Sequence, residues 1–133
     1  MKSKQVLSVE QMKHLQEIGL ELRNTSMLLW YKQMLGEIPI SDWELSVWRE
    51  SLFSEDHVYP AYTLQDILDK LPCFIGNEVL TIQKLADSYT CLYMEPYSRS
   101  MINITESKEL IDAVYDMLCW CIENGYVKVG KEE

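Results

Sequence analysis

The stretch from Leu110 to Ile122 constrains this chain more than any other. At about 100° per residue, Leu110, Ile111, Ala113, Val114, Tyr115, Met117, Leu118, Trp120, Cys121 and Ile122 cover more than half of a helix's circumference. Glu109, Asp112, Asp116 and Glu123 share the remaining arc. A helix so widely apolar must be packed on more than one side. The spacing therefore predicts a long apolar C-terminal helix in the core, capped by Thr105 or Ser107 and stopped at Gly125. The rest of the chain must supply the layers that cover it.

Two more helices are legible. Ser8, with Gln11 three residues on, forms a capping box for a helix over Val9 to Ile18. Met12, Leu15, Ile18 and Leu22 make its apolar stripe, and Gly19 stops it. Thr63 caps a second helix bearing Leu64, Ile67, Leu68 and Leu71, which Pro72 terminates. Between these helices, Ser26 to Leu35 and Trp43 to Leu52 read as a hairpin around loop residues Gly36, Pro39, Ser41 and Asp42. Glu78 to Ala86 and Tyr89 to Glu95 read as another, turning at Asp87-Ser88. Pro96 to Asn103 reads as irregular, and Tyr126 to Val129 as a short final strand. The expected fold is α+β: antiparallel sheet from two β-hairpins, three helices, in the order α-β-β-α-β-β-α. The two α-β-β halves resemble one another weakly. A length of 133 residues suits one domain over 1–133, with frayed ends at about 1–6 and 130–133.

Composition narrows the functional classes. There are 21 acidic residues against 12 Lys and Arg, a net charge of −9, which argues against direct nucleic-acid binding. No apolar run approaches the roughly 18–20 residues that span a bilayer, and none follows Lys2 and Lys4 as a secretion signal requires. The expectation is a cytoplasmic protein without membrane contact. Cys73, Cys91, Cys119 and Cys121 are then expected as reduced thiols.

Three stretches carry a resemblance. Glu10-Gln11-Met12-Lys13-His14-Leu15, then Pro60-Ala61-Tyr62-Thr63-Leu64-Gln65-Asp66-Ile67, then Leu110-Ile111-Asp112-Ala113 with Glu123-Asn124-Gly125-Tyr126, resemble short uncharacterised proteins of bacterial genomes and their prophages. The resemblance implies a bacterial or phage accessory protein. It transfers no catalytic residue.

Chemistry has little to build on. The glycines at 19, 36, 76, 125 and 130 are too scattered for a phosphate-binding loop, and no cofactor is expected. Only His14 and His57 could serve as imidazole ligands or bases. Cys119 and Cys121 point about 200° apart on a helix and cannot share a zinc ion. A Cys73–His57 dyad would need the fold to bring the pair together. The weak metal candidates are Glu109, Asp112 and Asp116, whose spacing puts them on one helix face and whose hard oxygens suit Mg²⁺. A solvated polar stripe explains the same row more simply. Aromatic residues say more. Alternation places Trp48 on the polar side of its strand, beside Glu44, Ser46 and Glu50. If Leu92 and Met94 face the core, Tyr89 and Tyr93 join Trp48 on the outer face as protein-contact residues. Burial of both faces would return all three aromatics to the core.

The leading expectation is a non-enzymatic protein-binding or homodimerising accessory module, its partner another protein or a second copy. An acidic nucleic-acid mimic that inhibits a DNA-binding protein is the alternative within binding. A Mg²⁺-dependent phosphohydrolase using the helix carboxylates is the alternative among enzymes.

Overall fold

A computed structural model describes residues 4–20, 27–30, 34–35, 38–39, 44–47 and 58–128. Among them the order is α1 (Val9–Glu17), β1 (Met27–Trp30), β2 (Met34–Leu35), β3 (Ile38–Pro39), β4 (Glu44–Val47), β5 (Val58–Ala61), α2 (Leu64–Lys70), β6 (Phe74–Ile75), β7 (Glu78–Lys84), β8 (Tyr89–Met94), β9 (Met101–Ser107) and α3 (Leu110–Glu123). The described residues are α+β, with three helices and a four-stranded antiparallel sheet.

Both predicted caps form, and each is a capping box. The Ser8 hydroxyl accepts from the Gln11 backbone N–H, and the Gln11 side chain accepts from that of Ser8. Thr63 and Asp66 repeat the exchange at α2. Each pair satisfies two of the N–H groups that a helix start leaves open. Met12 and Leu15 on α1 and Ile67 on α2 are fully buried.

The first hairpin is more elaborate than the sequence suggests. β1 does pair antiparallel with β4, from Met27 opposite Val47 to Trp30 opposite Glu44. β2 and β3 make a small separate ribbon inside the connection, and β5 adds to the other edge of β1. The second hairpin is where expected, with Lys84 opposite Tyr89 across the turn. It grows on both sides into the sheet β6-β7-β8-β9. Gly76, at φ +63°, makes the tight turn from β6 to β7.

Three expectations need correction. The segment expected as irregular contains the start of β9. Its alternation, Ile102, Ile104 and Glu106 against Asn103, Thr105 and Ser107, was hidden because neither set is uniformly apolar. Thr105 and Ser107 therefore lie in a strand and do not cap α3. The residue at that position is Glu109, which makes no side-chain cap bond. Tyr126 to Lys128 form no strand, and Val129 lies outside the described residues. Instead the Tyr126 and Val127 N–H groups donate to the Cys121 carbonyl, closing the end of α3 after Gly125 at φ +81°.

The core gathers around α3. Ile111, Ala113, Val114, Met117, Leu118, Cys121 and Ile122 are buried, with Leu7, Met12, Leu15, Tyr62, Ile67, Ile75, Cys91 and Tyr93 in the same cluster. α3 lies on β8 and β9, and α2 lies against α3. The four-stranded sheet thus has one face under α3.

Candidate functional site

The carboxylate row on α3 holds the N-terminal segment. Asp112 Oδ1 accepts from Lys4 Nζ at 2.8 Å and from Gln11 Nε2 at 2.9 Å. Lys4 Nζ also donates to Gln11 Oε1 at 2.7 Å, and its backbone N–H donates to Glu109 Oε1 at 3.1 Å. Gln11 therefore serves at once in the α1 cap and in the clasp onto α3. Asp116 stands apart and exposed, its carboxyl pushed up by desolvation and then by the charge of Asp112. Among the described residues no three His, Cys, Asp or Glu side chains converge to hold a metal ion.

Cys91, Cys119 and Cys121 are placed for packing. Cys91 and Cys121 are buried, Cys119 is half-buried and Cys73 is exposed, all without disulfides. Burial pushes the Cys91 thiol up to about 12 and those of Cys119 and Cys121 up to about 11. A thiol so far from ionisation at neutral pH is a poor nucleophile. His14 sits on α1, its Nδ1 3.8 Å from Glu17 and its ring edge-on to Tyr115. His57, the base imagined for Cys73, lies outside the described residues.

The aromatic expectation fails at Tyr93. Cys91 and Tyr93 point under α3, and Leu92 and Met94 point to the opposite face. Tyr93 is fully buried, and its hydroxyl donates to the Pro72 carbonyl at 2.6 Å. It is not a surface contact residue. Tyr89, four positions away on the same face, is half-buried at the sheet's end. Trp48 lies outside the described residues. Alternation along β8 has the expected period, and the face placed under α3 is that of Cys91 and Tyr93. An isolated strand offers both faces as apolar, and only the position of α3 selects one.

The face away from α3 carries the surface feature of most consequence. Register puts Phe74, Val79, Met94 and Met101 in one row across four strands, with Ile102 beside them at a bulge. Thr81, Leu92 and Ile104 form the next row. Leu92 is buried, but Phe74 is 64% exposed, Met101 55%, Ile104 49% and Ile102 36%. The β8–β9 turn extends this end of the sheet. Glu95 Oε1 accepts the Tyr97 and Ser98 N–H groups, which hold its carboxyl below the usual range, Ser98 contributing most. Tyr97 at the tip is 95% exposed.

No protein-family model, curated protein or solved structure matches this chain.

β9 inverts the usual strand pattern. Its polar residues face the helix and its isoleucines face away. The inward set is satisfied there: Thr105 Oγ1 donates to the Ala113 carbonyl at 2.7 Å, and Asn103 Nδ2 reaches Met117 Sδ at 3.8 Å. Sequence reasoning missed this face because Pro96 to Asn103 reads as irregular and Thr105 or Ser107 as a helix cap, so no strand is expected there. The available signal was the spacing itself, Ile102 and Ile104 on one side and only polar residues on the other.

Proposed function

We propose that this chain is a non-enzymatic protein-binding or homodimerising accessory module that docks through the sheet face opposite α3. The observation that carries the reading is the exposed apolar set Phe74, Met101, Ile102 and Ile104, with Tyr97 at its rim. Large apolar side chains gathered on one face mark contact surfaces on soluble proteins. Aromatic and methionine side chains are enriched in such contacts because they bury much area. Asp112 engaged by Lys4, and Cys91, Cys119 and Cys121 pushed far from ionisation by burial, give catalysis no comparable support. A bacterial or phage setting rests on the resemblance alone. Among the described residues no helix is long and apolar enough to cross a membrane.

A photo-crosslinking amino acid at Phe74 tests the reading, with the same group at exposed Lys84 as control. A protein adduct, self or other, is expected at position 74 and should be lost with Met101→Glu. Equal labelling at the two positions would overturn a docking role for this face.

A further inference from the structure

The free edge of β9 borders that docking face at Met101, Ile102 and Ile104 and extends the docking reading, on which the inference rests. β9 ends one side of the four-stranded sheet and runs for seven residues. Among the described residues no strand pairs with its outer edge. Such an edge presents a row of backbone N–H and C=O groups that fit another strand. The sheet's two edges differ in this respect. On the far side β6 is only two residues long, and the stretch of β7 beyond it bears exposed Gln83 and Lys84. Shortness and lysine are common protections against edge pairing. From Met101 to Ser107 there is no proline and no lysine, and Glu106 is the sole charge. The bulge sits at the start of β9 and leaves Asn103 to Ser107 in regular register with β8. Thr105 and Asn103 tie the strand to α3 from beneath. The edge is therefore ordered before anything binds, which lowers the entropy cost of pairing.

We propose that β9 pairs antiparallel with β9 of a second copy about a two-fold axis, joining two four-stranded sheets into one. The strand is self-complementary. Opposed residues of an antiparallel pair share a face. An axis through Asn103 sets Ile102 against the partner's Ile104, and Ile104 against the partner's Ile102. An axis through Ile104 brings the two Ile104 side chains together. In both cases exposed Ile104 meets an isoleucine. The two Glu106 carboxylates then stand about 13–20 Å apart at ~3.3 Å per residue. That exceeds the ~8 Å screening length at physiological salt. Glu106, the sole charged residue of β9, therefore sets no like charges against one another at the seam. Two-fold pairing is also closed, so it satisfies both edges and stops.

Light scattering on the full chain, from micromolar to near-millimolar concentration, should show a monomer–dimer equilibrium. Hydrogen exchange should show alternate β9 amides, those directed away from β8, gaining protection as the dimer forms. Ile104→Lys places a charge at the seam and should weaken the dimer by about tenfold or more. Its unfolding midpoint should be unchanged at dilutions where both proteins are monomers. A monomer at every concentration overturns the pairing. So does a dimer whose outward β9 amides exchange freely, or a dimer as tight after Ile104→Lys as before. Hydrogen exchange on the unsubstituted chain decides the matter even if Ile104→Lys does not fold. An adduct at Phe74 to a different protein, with no dimer, would sink the edge pairing and leave the docking face standing. Loss of both the adduct and the dimer would sink the docking reading as well.

Discussion

Tyr93 shows how much one residue can turn on its surroundings. Its sequence context fits a core residue and a contact residue equally, and what separates the two is a carbonyl. The Pro72 oxygen, 2.6 Å away, gives the phenol a partner inside the protein. Tyr93→Phe keeps the ring and removes that bond, and a hydrogen bond of this kind contributes about 0.5–1.5 kcal/mol. We expect the urea midpoint to fall correspondingly with the fold retained. No loss would mean that the hydroxyl is equally well served by water. Asp112 is a second case. Its position suggested a metal ligand, and its actual partners are Lys4 and Gln11. Asp112→Ala should speed amide exchange in residues 4–8 and lower the thermal midpoint. Millimolar Mg²⁺ should not raise the midpoint of the unsubstituted chain, since only selective binding to the native state stabilises it. A clear rise with Mg²⁺ would reopen the enzymatic alternative.

Helices were legible where local chemistry specifies them. α1 and α2 start at their predicted caps because the bonds involved span only three residues. Ser8→Ala and Thr63→Ala should each cost about 1 kcal/mol, measured by chemical denaturation. Ser8→Ala should cost the more, because Gln11 links that cap to Asp112. Ile67 is fully buried between α2 and the core, so Ile67→Ala should cost about 2–5 kcal/mol. A melt close to the unsubstituted chain's would put the α2 face wrongly. Strands were legible only in part. The β7–β8 hairpin pairs neighbours in sequence and was found. β9 has to be recognised against β8 and α3, because neither set of its alternating residues is uniformly apolar.

At the scale of the whole molecule, the buried thiols and phenols set an alkaline limit. Cys91 is raised from 9.0 to about 12, Cys121 from 9.0 to about 11, and Tyr62 from 10.0 to about 12, in each case chiefly by burial. Tyr93 and Tyr115 are raised for the same first cause. Groups with raised folded values leave stability intact below their unfolded values. Above those values the unfolded chain releases protons first, and stability is lost. The urea midpoint should therefore hold up to about pH 9, then fall, and fall faster beyond pH 10, where Tyr62 joins the thiols. A flat profile to pH 11 would contradict the burial of these side chains.

What the sequence determined by itself was local: the three helices of the described residues, two of their caps, the β7–β8 hairpin, and an acidic composition with a net charge of −9. Each depends on residues within a few positions of one another, or on composition alone. Only the tertiary structure decided which face of β8 is inside, what Asp112 binds, and that β9 turns its isoleucines outward beside an open edge. Each depends on where α3 comes to rest. A strand's alternation is symmetric between its two faces until a helix covers one of them.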